Sequence, residues 1–159
     1  AGLMRRLFPD GKLVFIIRHP YDVCLSCFFQ DFRNPIVRAN TQTLNDIAQW
    51  YIHVMDLWHQ YCDTLGLEYH TVRYERLVED FDAEVQSRCQ YRDIPWQEQM
   101  RDFNVSARQQ GGVVTASYHQ VTEGLYRHAR YRWRHFSGQL NPIVPRLRPF
   151  VERFGYSSD

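Results

Sequence analysis

The chain has 159 residues, 44% hydrophobic and 23% charged, with a formal net charge of +1. That balance fits one globular domain with a single core, and eight glycines and seven prolines are too few for a disordered or collagen-like chain. The longest apolar run, Leu13–Ile17, is too short to cross a bilayer, and so small a net charge gives no global field to attract nucleic acid.

The first element is a strand over Lys12–Ile17, entered from a turn at Pro9-Asp10-Gly11. Its apolar residues do not alternate with polar ones, which predicts a strand buried on both faces, as in a parallel sheet. Arg18-His19-Pro20 ends it. Pro20 suits a first helical turn and Asp22 its positive end, so a helix is expected to about Phe32. Within it, Cys24-x-x-Cys27 has no second ligand pair and sits among large apolar residues. It reads as structural thiols with no metal, in a reducing, cytoplasmic setting.

Residues 43–65 carry Ile47, Trp50, Tyr51, Val54, Leu57, Trp58 and Tyr61 at helical spacing, with Gly66 as C-cap. Glu68–Arg73 is a second strand. A helix over about 76–90 follows, with Glu75 as an ordinary acid of its first turn, and then a short helix from Pro95 to Phe103. Residues 104–126 read as a loop, 127–135 as an Arg-rich segment, and about 142–154 as a last helix stopped by Gly155. Strands alternating with helices predict an α/β domain. Two parallel strands do not make a stable sheet alone, so the chain is expected to be part of a larger domain. An exposed sheet edge would invite a homodimer.

Three clusters carry chemistry. Arg18 stands just past the first strand, and Asp22, Ser26 and Gln30 share a helix face by i, i+4 spacing. A guanidinium fork and a hydroxyl then converge on one small anion outside the carboxyl end of a strand, where open α/β sheets bind ligands. Read blandly, the same spacing gives an Arg18–Asp22 pair and an idle serine. Tyr74 projects at the second strand's end and is able to contact an adenine or to pack at the sheet edge. The third cluster runs from Thr115 through Ser117 and Gln120 to Arg127, Arg130, Arg132 and Arg134. It reads as a phosphate-gripping loop or as a solvated basic surface. Lys12 is the single lysine, so nearly all cationic groups are planar forks able to grip phosphate or sulfate bidentately.

Together and in this order, the clusters resemble the C-terminal half of sulfotransferases that use 3′-phosphoadenosine 5′-phosphosulfate. The motif Arg-x-Pro-x-Asp-x-x-x-Ser stands here as Arg18-His-Pro20-Tyr-Asp22-Val-Cys-Leu-Ser26. Tyr74-Glu-Arg-Leu-Val78 and Ile94-Pro95-Trp96 match further segments. The stretch 115–134 is most like bacterial sulfotransferases linked to tetratricopeptide repeats and like tyrosylprotein sulfotransferases. Relatives often carry a small residue where Tyr131 stands, and a basic residue and a proline where Thr122-Glu123-Gly124 stand.

The resemblance implies a P-loop-NTPase-like three-layer fold with a central parallel sheet, of which residues 1–159 are the C-terminal part. The 3′-phosphate motif falls at 15–30, the strand-Tyr-Glu segment at 68–78 and the C-terminal cofactor loop at 113–135. It implies that Arg18 and Ser26 bind the 3′-phosphate, Tyr74 contacts the adenine, Ser117 and Gln120 line the cofactor, and Arg132 and Arg127 reach its phosphates. The acceptor would be a hydroxyl on a protein tyrosine, a sugar or a small molecule, and the product adenosine 3′,5′-bisphosphate. The family's 5′-phosphosulfate loop and catalytic base lie upstream of these motifs and match nothing in residues 1–12, so the chain alone is expected to lack part of the transfer machinery. His19, His119 and His128 lie near motifs but do not match that base. Two other readings stand beside this one: a nucleotide-binding module without catalysis, and a P-loop-type kinase relative, for which the G-x-x-x-x-G-K-[ST] pattern is missing.

Overall fold

A computed structural model describes residues 2–105 and 129–157. In chain order these form α1 (Gly2–Leu7), β1 (Leu13–Ile17), α2 (Pro20–Phe28), α3 (Pro35–Ala39), α4 (Leu44–Leu65), β2 (Tyr69–Arg73), α5 (Tyr74–Glu79) and α6 (Phe81–Tyr91). A 3₁₀-helix at Glu98–Asp102 follows, then a second at Arg132–Phe136, α7 (Ser137–Leu140) and α8 (Val144–Arg153). β1 and β2 pair in parallel, with Leu13 opposite Tyr69 and Ile17 opposite Arg73. The α/β expectation therefore holds, with two strands among the described residues.

Helices cover both faces of this sheet. On one face Phe15 stacks on Trp58 of α4 at 4.4 Å between ring centroids and meets Phe154 edge-on. On the other, Tyr91 of α6 stacks on His70 at 5.1 Å. α6 lies over β2 and leaves β1 less covered: Ile16 is 65% exposed, and of the five β1 residues only Ile17 is buried. The expectation of a strand buried on both faces is corrected here, because among the described residues the helices cover β1 only in part.

α4 begins with a reciprocal cap. Thr43 Oγ1 accepts from the Asp46 N–H, and the Asp46 carboxylate accepts from the Thr43 N–H. It ends at Gly66, whose φ of 56° is the left-handed conformation that favours glycine. The core lies where α2, α4, α8 and the Arg132–Phe136 turn meet, around Tyr21, Cys24, Tyr51, Trp133, Leu147 and Val151. Cys24 is fully buried, and burial pushes its thiol well above the ordinary range.

Three boundaries differ from expectation. α2 stops at Phe28, so Gln30 lies beyond the helix and off the face that Asp22 and Ser26 share. The helix expected over 76–90 is two helices, because Asp80 ends α5 and caps α6 by accepting from the Ala83 N–H. α3 begins at Asn34-Pro35, a cap residue followed by a proline at N1.

Candidate nucleotide site

The parallel register builds the first half of the site. Ile17 is level with Arg73, so the next residue on each chain, Arg18 and Tyr74, emerges side by side at the carboxyl end of the sheet. The Arg18 guanidinium lies 5.1 Å from the Tyr74 ring centroid, a cation–π contact. Its Nη2 donates to the Ala129 carbonyl at 2.6 Å. Its Nε is buried and has no hydrogen-bond partner among the described residues.

α2 supplies the second wall. His19 caps it, its Nδ1 accepting from the Tyr21 N–H at 3.3 Å, and Pro20 occupies the first turn. Asp22 and Ser26, one turn apart, face the same cleft, Asp22 fully buried and Ser26 exposed at the rim. Asp22 does not neutralise Arg18 through a direct hydrogen bond. Its Oδ1 accepts instead from the backbone N–H of Trp133 at 2.8 Å, and the Tyr131 backbone also contacts the carboxylate. Burial raises the Asp22 pKa above the usual carboxylate value, opposed by the Trp133 N–H and by the Arg18 charge.

That hydrogen bond delivers the third wall. Tyr131 has a left-handed backbone with φ of 53°, a conformation that disfavours a large side chain. The chain turns there into the Arg132–Phe136 3₁₀-helix, with Trp133 buried beneath and Arg132 exposed above. The Arg132 guanidinium rests over Phe29 at 4.8 Å and Phe136 at 5.7 Å, which limits its freedom before any ligand arrives.

Arg18, Ser26, Tyr74 and Arg132 thus line one cleft of about 220 Å³, with Asp22, Leu25, Phe29, Ile16 and Ala129. Of the residues expected in a cofactor site, Ser117, Gln120 and Arg127 lie outside the described residues. The profile of the sulfotransferase family matches residues 1–98. The chain belongs to the sulfotransferase family. An uncharacterized protein of Aquifex aeolicus (strain VF5) is 25% identical over an alignment of 155 residues that covers 93% of this chain and 19% of that protein. The chain therefore spans about a fifth of the length of that relative.

The sulfotransferase match takes in Arg18, Ser26 and Tyr74, whereas Arg132 comes from the C-terminal part of the chain beyond it. Two titratable residues of this chain are buried behind the site. Glu75 is, as expected, an acid of the first turn of α5, and its carboxylate is buried, 2% exposed. His19 is 1% exposed and stacks on Trp133 at 4.9 Å. With its Nδ1 accepting, its Nε2–H donates to the Ser157 carbonyl at 3.1 Å, and burial holds its pKa below the usual 6.5. A neutral, enclosed imidazole of this kind is a structural group rather than a solvent-facing base. The Arg-x-Pro pattern gave no signal of either role, because both depend on residues 129–157.

Proposed function

We propose that this chain forms the 3′-phosphate and adenine side of a 3′-phosphoadenosine 5′-phosphosulfate site in an enzyme that transfers a sulfuryl group to an acceptor hydroxyl. The observation that carries this reading is the meeting of Arg18, Ser26, Tyr74 and Arg132 in one cleft, from four separate segments of a sulfotransferase-family chain. A P-loop-like three-layer architecture belongs to the same reading, as does a partial domain over residues 1–159.

The residues suit the group. A half-buried guanidinium whose Nε has no partner among the described residues offers a charge-assisted donor, and the exposed Ser26 hydroxyl adds a neutral one. Arg18 and Ser26 would hold the 3′-phosphate, Tyr74 would contact the adenine, and Arg132 would reach the phosphates from the opposite rim. Ser117, Gln120 and Arg127 would complete the enclosure. When bound, the cofactor supplies an activated sulfuryl group. What these side chains contribute is binding and orientation, the part of group transfer that positioning governs. The acceptor class is a hydroxyl compound.

Calorimetric titration with adenosine 3′,5′-bisphosphate tests the reading, with adenosine 5′-monophosphate as control. The expected result is binding that needs both the 3′-phosphate and Arg18. A folded chain that binds neither nucleotide, or both equally, overturns it. Competition by ATP would favour the kinase-like alternative. Product formation from the phosphosulfate in the enzyme that carries this chain separates transfer from binding alone.

A further inference from the structure

Behind the cleft lies a carboxylate that lines neither the cleft nor the surface. Glu75 Oε1 accepts from the His19 backbone N–H at 2.9 Å, and its Oε2 accepts from the Tyr156 hydroxyl at 2.6 Å. Burying an ionised carboxylate is costly unless its oxygens are satisfied, and both of these are. The residues so tied are chain neighbours of the pair that stacks in the cleft: His19 follows Arg18, and Tyr74 precedes Glu75.

The sheet ladder ends at Ile17 opposite Arg73. Past that point the two chains turn into separate helices, and strand pairing no longer fixes their spacing. The Glu75–His19 bond takes over, joining the start of α5 to the entry of α2 immediately beyond Arg18 and Tyr74. Tyr156 closes this link from the far side. Its ring lies 5.0 Å from that of His19, and the Arg73 guanidinium covers it at 4.0 Å. We infer that Glu75 is a positioning residue for the anion site: it holds the Arg18 guanidinium over the Tyr74 ring by clamping the backbones on which both are carried. What the cleft binds rests on the reading under Proposed function; the clamp itself does not.

The test uses the chain with Glu75→Ala, Glu75→Gln and Tyr156→Phe, and two readouts. The first is titration with adenosine 3′,5′-bisphosphate. Glu75→Ala should weaken binding about tenfold or more. Glu75→Gln should stay within about threefold, because its carbonyl still accepts from His19 and its amide donates to a rotated Tyr156 hydroxyl. Combined with Arg18→Ala, Glu75→Ala should add little further loss, since it acts through Arg18; a general weakening of the fold would add its full effect. The second readout needs no nucleotide. It is the side-chain Nε–H resonance of Arg18, identified by its disappearance in Arg18→Lys, which the Tyr74 ring shifts. That shift should collapse in Glu75→Ala and persist in Glu75→Gln. Unchanged affinity and shift in Glu75→Ala, or additive losses with Arg18→Ala, overturn the inference. If the native chain binds no bisphosphate, the functional reading falls and the resonance alone decides the clamp. If Glu75→Ala does not fold, Tyr156→Phe decides it: a partial loss of the shift supports the clamp, and an unchanged shift refutes it.

Discussion

Two cavities flank the end of β1, and α2 stands between them. The candidate cleft takes Asp22, Leu25 and Ser26 from one face of the helix. An apolar cavity of about 300 Å³ takes Val23 and Cys27 from another, together with Ile47, Trp50, Tyr51 and Met55 of α4. Ile16 and Arg18 border both. One nine-residue helix thus divides charge from oil, and helical spacing suffices for the division. The difference teaches that ligand contacts and core contacts are separable here, even though they share a wall.

The comparison breaks if either side does the other's work. The largest expected effect is on the apolar side. Ile47→Ala should cost about 2–5 kcal/mol of stability in urea denaturation, as deletion of a buried aliphatic side chain does. The affinity of the folded fraction for adenosine 3′,5′-bisphosphate should stay as it was. Next comes Arg18→Ala, expected to lose about 2–3 kcal/mol of binding, roughly 30- to 150-fold, by calorimetry. A large drop in thermal midpoint without that loss of affinity would make Arg18 a core residue. Ser26→Ala should cost about 1 kcal/mol, near fivefold in affinity, with an unchanged melting curve.

The smallest effect is a pH dependence on the cleft side. Burial, the Arg134 charge and the Arg73 charge lower the His19 pKa, against Glu75 and the Ser157 carbonyl, which raise it. In the window between the lowered native value and the usual 6.5, the unfolded chain binds the extra proton, so stability rises with pH there and is lost as pH falls below 6.5. Protonating Nδ1 also removes the acceptor that caps α2. His59, lowered by its own burial and by Arg153, acts in the same direction. Melting scans from pH 7.5 down to pH 5 should show a shallower decline in His19→Asn, which keeps a capping oxygen. An equal slope in that variant would place the acid sensitivity at His59 or elsewhere.

Local signals made much of this fold legible. The β-branched run gave β1, apolar spacing gave α4, and Gly66 and Gly155 marked helix ends that both adopt positive φ. Arg18, Ser26 and Tyr74 were legible because each sits a fixed number of residues from a strand end. Glu75 was legible as a first-turn acid, but its burial was not, because that position looks the same whether water or Tyr156 faces it. The break at Asp80 was missed, since one acid inside an acidic segment does not announce a cap. α3 was missed although Asn34-Pro35 carried the signal. The bond that brings the Arg132 turn to α2 was beyond local reading, because Asp22 and Trp133 stand 111 residues apart.

That separation has a consequence for biosynthesis. A ribosome adding about 5–20 residues per second releases Trp133 roughly 6–22 s after Asp22. Through that interval the Asp22 carboxylate lacks the Trp133 amide, and His19 lacks the Ser157 carbonyl for longer still. A nascent chain arrested before Trp133 would display the whole Arg18–Ser26 motif to any antibody that reads sequence, yet it would have no finished cleft. The cleft is therefore completed only once the segment from Ala129 to Ser157 has been made, long after the motif itself.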